Sequence, residues 1–312
     1  MAINTGKQIE AEKAAARSQN NRRLVVYGHR GARAVRPENT LSGFEYALAV
    51  GADGFECDLH ITKDNIVVIS HAPLLHGPIC KGPAEYAIIR NSTLAQLKLW
   101  DCGGANPEFP RQRAIPNSRI PTLDEVFALA TRGNFRFQLE AKSIFRHMTE
   151  EKARRVLRNE LSANITKEEE DRLIRELMLP GLEMTPPLDE FAQMILDRIR
   201  AHHLEHRVDF LSADYRLLNS MRKLAPEITL TVPYGPGGNM IDAIKMTGAD
   251  IACPAYTKVT AEEVRAAHKA GVKVIPFGNE TEWEAFIAAD VDGIASDDPA
   301  ALIEFLKGKG LR

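Results

Sequence analysis

The chain has 312 residues, 44% hydrophobic and 26% charged, with 40 Lys+Arg against 42 Asp+Glu and a formal net charge of −2. That balance excludes a mainly disordered chain, a collagen and a disulfide-stapled miniprotein. It also gives no global pull toward nucleic acid or an anionic membrane, so a charged ligand has to be held locally. At about 150 residues per domain the length suggests two domains, yet single α/β barrels commonly reach it.

Residues 1–22 are polar and charged and read as a polar tail or surface helix. They lack the apolar core of a signal peptide, and no apolar run approaches the roughly 20 residues that span a bilayer. A cytoplasmic protein is expected, with export left open if a leader was removed. The four cysteines, Cys57, Cys80, Cys102 and Cys253, show no CxxC and no zinc-type spacing. They read as a small reduced set, with pairing left open.

LVVYGH (24–29) is a buried-type strand, and TLSGFEYALAV (40–50) is a helix opened by Pro37 and Asn39. GFECDL (54–59) is a second strand. IVVISH (66–71) follows after only a short turn, so it reads as a hairpin partner. Residues 72–120 are rich in Pro and Gly with one short helical piece, TLAQLKLW, so 60–120 reads as an excursion from the main fold. Alternation then resumes with helix 122–130 and strand 135–142. Residues 144–180 break the rhythm, carrying eight Lys/Arg and eight Asp/Glu. They read as a solvated helical insertion with charge pairs on its faces, with a lid or an oligomer contact as the functional alternative. Residues 189–204 form an amphipathic helix with Phe191, Met194, Ile195, Leu196 and Ile199 on its apolar side. Strands at 208–213, 227–232, 249–254, 272–277 and 292–296 then alternate with helices to the end.

With 66–71 set aside, eight strands each precede a helix, which implies parallel strands with right-handed crossovers. The expected fold is α/β, a (β/α)8 TIM barrel with a small insertion after the second strand and a charged helical insertion after the third. A doubly wound open sheet is the competitor, weakened in its dinucleotide-binding form because no GxGxxG follows the first strand.

The chemistry gathers where a barrel keeps its active site, at the C-terminal strand ends. Strand one ends in Gly28-His29-Arg30-Gly31, strand two carries Glu56 and Asp58, the hairpin run ends in His71, and the third barrel strand ends in Glu140-Ala141-Lys142. Residues two apart on a strand face the same side, so Glu56 pairs with Asp58 and Glu140 with Lys142. Three carboxylates at one mouth repel unless a cation sits among them, and oxygen ligands suit Mg²⁺ or Ca²⁺. His29 and His71 can divide acid and base roles, and Arg30 and Lys142 suit an anion such as phosphate. The other histidines, His60, His76, His147, His202, His203, His206 and His268, read as structural.

The run GHRGARAVRPENTLSGFEYALAVGADGFECDLHITKDNIVVISH resembles the N-terminal signature of the glycerophosphodiester phosphodiesterases, which joins HRG, PENT, Gly-Ala-Asp, ExD, a Thr-Lys-Asp turn and a His. IPTLDEVFAL, LEAK, LEHRVDFLSADYRLLNSMRKLAPE and VDGIASDDPAAL extend the likeness over about 24–143 and 183–306. The resemblance implies one barrel over 23–312 with a family-type insertion at 60–120. It implies metal ligands Glu56, Asp58 and Glu140, acid/base residues His29 and His71, and phosphate binding by Arg30 and Lys142, with Glu38 lining the site. The implied cofactor is a divalent ion, Mg²⁺ or Ca²⁺, with Mn²⁺ as a further choice. The implied reaction releases sn-glycerol 3-phosphate and an alcohol, with His29 taking the proton and His71 protonating the leaving alkoxide.

Three departures stand out. The family usually has His-Asp where this chain has His71-Ala72. Where the family often has Trp-Thr-Val-Asn, this chain reads Phe277-Gly278-Asn279-Glu280. Phe277 keeps an apolar wall, and Glu280 adds a charge expected to favour a cationic head group such as choline. The third departure is the 144–180 insertion. The alternatives weighed are a lysophospholipase D-like or other phosphodiesterase with an apolar groove, and a non-catalytic binder of the same fold. The expected partner is a small phosphodiester rather than nucleic acid, and self-association to a homo-oligomer stays open.

Overall fold

The structure is a computed structural model that describes residues 22–143, 149–160, 166–177, 185–235, 237–255 and 259–312. The tail expectation for 1–22 therefore falls almost wholly outside the described residues. Strand β1 (Val25–Gly28) leads to helix α1 (Leu41–Ala49), and β2 (Gly54–Ile61) to the short β3 (Val67–Ile69). A small separate sheet holds β4 (Leu74–His76) and β5 (Tyr86–Ile88), ahead of α2 (Leu94–Leu97) and α3 (Leu123–Phe127). Next come β6 (Arg136–Ala141), α4 (Glu150–Glu160), α5 (Lys167–Leu177) and α6 (Leu188–Ala201). Then β7 (Val208–Leu211) precedes α7 (Tyr215–Leu224), and β8 (Thr229–Tyr234) precedes α8 (Met240–Thr247). Strand β9 (Ile251–Pro254) precedes α9 (Ala261–Lys269), β10 (Lys273–Val274) precedes α10 (Trp283–Ala288), and β11 (Gly293–Ser296) precedes α11 (Pro299–Gly308).

The main sheet runs β10-β9-β8-β7-β6-β2-β1-β11, parallel throughout, with β3 added antiparallel to β2. Phe277 bridges Ala255 on one side and Ala295 on the other, and the Asp292 N–H donates to the Val274 carbonyl at 2.9 Å. These contacts bring the two ends of the sheet together as a (β/α)8 barrel. The expected strand 272–277 is regular only over two residues, because Pro276 has no N–H for the ladder.

Alternation on the strands sorts the side chains. On β2, Phe55 turns outward, stacks on Phe44 of α1 at 4.4 Å and meets Phe137 of β6 edge-on at 5.4 Å. Burying each such ring contributes about 1.5–3 kcal/mol. Glu56 and Asp58 turn the other way, into the barrel. At the N-terminal end of the barrel, Arg136 and Asp209 form an ion pair at 2.5 Å that also takes the Tyr27 hydroxyl at 2.5 Å. Tyr27, Ile251, Ile275 and Ala295 pack as an apolar floor.

Two sequence expectations are corrected here. Helix α1 is capped by Thr40, whose hydroxyl accepts from the Gly43 N–H, and not by Asn39, whose side chain is drawn to Asp58. The cysteines are not all reduced: Cys80 and Cys102 form a disulfide, while Cys57 and Cys253 are free and buried. The pairing follows from the excursion, where Lys81 and Asp101 bridge their backbones and carry the two neighbouring cysteines together. Within it, Val68, Leu75, Ile89, Leu97, Trp100 and Ile120 build a small core around the disulfide. The charged insertion forms α4 and α5, joined by Arg154 to Asp171 at 2.5 Å, and Arg154 also pairs with Glu150 of its own helix at 2.7 Å. Arg172 of α5 reaches Glu85 of the excursion at 2.6 Å, and Tyr86 bonds Glu176.

Candidate active site

The turn after β1 is shaped by glycine. A Cβ on Gly28 would stand 1.9 Å from the Gly31 carbonyl oxygen, and Gly31 has φ +86°. Only glycine accepts both demands, and the turn presents His29 and Arg30 at the strand mouth. The parallel register sets Glu56 beside Gln138 and Asp58 beside Glu140. One oxygen from each of Glu56, Asp58 and Glu140 lies within 4.8 Å of the others. Glu56 and Glu140 line a cavity of about 850 Å³ together with His29, Arg30, Glu38 and His71, while Asp58 is fully buried and outside that lining. Lys142 and Phe277 also line the cavity.

Each carboxylate is held differently. Glu56 accepts the Arg30 backbone N–H at Oε2, 2.9 Å, while its buried Oε1 has no hydrogen-bond partner among the described residues. Burial, then the charges of Asp58 and Glu140, push the Glu56 carboxyl well above its ordinary range. Burial acts the same way on Asp58, but Lys142, His71, Arg30 and Asn39 outweigh it and hold that carboxyl well below. The Lys142 ammonium lies 2.9 Å from Asp58 Oδ1 and 2.8 Å from Glu140 Oε1. Arg30 Nη1 donates to Glu38 at 2.9 Å, and its Nε lies 3.5 Å from Asp58. Three hard oxygen donors with one orphaned oxygen fit a divalent cation, which would relieve the repulsion that raises Glu56.

The two histidines flank this cluster. His29 Nε2 lies 3.8 Å from Glu56 Oε2, its Nδ1 lies 2.7 Å from Asp297 Oδ1, and Phe277 packs on its ring at 4.1 Å. Burial, then the Arg33 charge, lower His29 to about 4 against the opposing pull of Asp297. Burial, Arg30 and Lys142 hold His71 well below its ordinary value. Both shifts favour the neutral ring. His60, read as structural, has Nε2 3.2 Å from the His71 carbonyl and so backs the loop carrying His71.

Two of the sequence readings are corrected by position. Glu280 is absent from the cavity lining; it is exposed and pairs with Arg111 at 3.2 Å. His76, read as structural, lines the cavity. His147 lies outside the described residues. The sequence reading missed Asn39, which grips Asp58, and Asp297, which meets His29. Asn39 was visible within PENT, and Asp297 within the closing ASDDP run.

The chain is a TIM barrel with a carboxylate cluster at its C-terminal mouth. The model of the glycerophosphoryl diester phosphodiesterase family matches residues 29–301, and the chain belongs to that family and is an enzyme of that class. A glycerophosphodiester phosphodiesterase of Caldanaerobacter subterraneus subsp. tengcongensis is 27% identical over 92% of this chain and 100% of its own length. A solved structure from Silicibacter pomeroyi, a putative glycerophosphoryl diester phosphodiesterase, superposes with a TM-score of 0.75 at 26% identity, covering 93% of this chain and 95% of that one. An Oleispira antarctica phosphodiesterase, solved with the product sn-glycerol-3-phosphate, shares the fold at a TM-score of 0.67 and 21% identity, covering 91% of this chain and 97% of its own. Among the described residues, no helix is long and apolar enough to cross a membrane.

Proposed function

We propose that the chain hydrolyses glycerophosphodiesters to sn-glycerol 3-phosphate and an alcohol with the help of a divalent cation. The observation that carries this is the cluster of Glu56, Asp58 and Glu140, with Glu56 and Glu140 lining one cavity together with His29 and His71. Those three carboxylates would hold the cation, which supplies Lewis-acid stabilisation of phosphate charge. Arg30 and Lys142 add cationic donors for the phosphate oxygens, freed for that role when the carboxylates engage the cation. His29 accepts the proton of the attacking hydroxyl or water, and His71 delivers one to the departing alkoxide.

The test is release of glycerol 3-phosphate from a panel of diesters with Mg²⁺, Ca²⁺ and Mn²⁺ supplied separately. Chelation is expected to abolish release, and Glu140→Ala to abolish both metal binding and turnover in a folded protein. Full activity under chelation would overturn the metal role. The lysophospholipid reading gains support from Pro78, Ile79 and Phe277 in the cavity wall, which offer apolar surface to a chain. Including a lysophospholipid in the panel separates the two. The Cys80–Cys102 disulfide favours an oxidising compartment over the cytoplasmic one expected above.

A further inference from the structure

His29 is the first residue after β1 and Asp297 the first after β11. These strands pair in parallel with Gly28 opposite Ser296, so the residues that follow them emerge side by side. The His29 N–H donates to the Ser296 carbonyl at 2.9 Å and the Ala34 N–H to the Asp297 carbonyl at 3.0 Å, which fixes both backbones. Asp297 Oδ1 lies 2.7 Å from His29 Nδ1 and also accepts Arg33 Nε at 2.7 Å. Arg33 in turn stacks over Phe109 at 4.8 Å. The opposite ring nitrogen, Nε2, faces Glu56 and the cavity. Asp297 itself does not line the cavity.

We propose that Asp297, braced by Arg33, is a positioning residue that holds His29 in its Nδ1–H tautomer with the Nε2 lone pair facing the cavity. A carboxylate accepts but does not donate, so the proton between the two sits on Nδ1. A base oriented by a third group gains the right tautomer and a fixed direction. Glu56 Oε2, the atom nearest Nε2, already accepts the Arg30 N–H, and a cation held by this carboxylate would leave Nε2 to the substrate. The inference rests on the reading of His29 as the proton acceptor.

The experiment compares Asp297→Ala, Asp297→Asn and His29→Ala in the full chain. The readouts are kcat and KM on a glycerophosphodiester with saturating divalent metal, and the His29 tautomer by long-range ¹H–¹⁵N correlation. Asp297→Ala is expected to lower kcat about 100-fold with KM within about twofold, and to lose the pure Nδ1–H signature. Asp297→Asn, whose amide oxygen still accepts the Nδ1–H, is expected to recover part of kcat and of the tautomer; it also covers a failure of the alanine variant to fold. A wild-type His29 in the Nε2–H form, or an unchanged kcat in Asp297→Ala, overturns the positioning role. If His29→Ala is itself active, the underlying reading of His29 fails. If His29→Ala is dead while Asp297→Ala is unimpaired, only the positioning role does.

Discussion

Asn39 grips Asp58 at two points: its Nδ2 donates to Oδ2 at 2.7 Å, and its Oδ1 accepts the Asp58 N–H at 3.2 Å. The residue stands at φ 54°, a left-handed conformation that asparagine tolerates and glycine adopts freely. Asn39→Gly therefore deletes both bonds and keeps the backbone. Groups behind a metal ligand typically carry 10–100-fold in affinity or activity. The expected result is about 10- to 100-fold weaker divalent-metal binding by calorimetric titration, with the fold retained. Wild-type affinity in Asn39→Gly would show that Asp58 needs no such brace.

The excursion at 60–120 has a core of its own closed by Cys80–Cys102, 22 residues apart. A loop of that size implies a loss of roughly 3 kcal/mol when the bridge is removed. The Cys80→Ser/Cys102→Ser double variant should show this deficit in denaturant unfolding. Wild-type protein unfolded in excess dithiol should match it. Equal stability with and without reductant would mean that the bridge contributes nothing.

At the opposite end of the barrel, Asp53 accepts from Arg23 at 2.5 Å, Arg312 at 2.6 Å and the Val26 N–H at 2.8 Å. Burial alone would raise its pKa, but the bonds from Arg312, Val26 and Arg23 outweigh burial and lower it. The folded state therefore binds fewer protons than the unfolded one. Its stabilisation is present above the ordinary carboxylate pKa of about 4 and is lost as pH falls through the lower folded value. Asp53→Asn should be less stable than wild type at pH 6, with the gap closing below pH 4. Urea unfolding at several acidic pH values reads this directly, and a gap independent of pH would refute it.

Glu280 and Arg111 form an exposed pair at 3.2 Å, each side chain 58% exposed. Such pairs contribute little, and the carboxylate does not line the cavity. Glu280→Gln should change the ratio of rates on choline and inositol diesters by less than about twofold. A large loss of choline preference would restore the head-group role expected from the sequence.

Much of the fold was legible because the signals were local. The short apolar strand runs, the helical spacing of Phe191, Ile195 and Ile199, and the i, i+2 pairs Glu56/Asp58 and Glu140/Lys142 each lie within a few residues of chain. Together with the short link that made 66–71 a hairpin, they gave a βα alternation that a barrel satisfies, with a doubly wound sheet as competitor, and put ionisable groups at the strand ends. Nothing local joins His29 to Asp297, which are 268 residues apart. They meet because the sheet closes and sets the last strand beside the first. The same holds for Cys80 with Cys102 and for Glu280 with Arg111, whose partners depend on how loops fold back. The sequence by itself determined which residues stand at the strand ends, since alternation and periodicity are short-range properties. The tertiary structure decided the meetings that no sequence pattern links, His29 with Asp297 and Cys80 with Cys102, because barrel closure and loop packing bring those groups together.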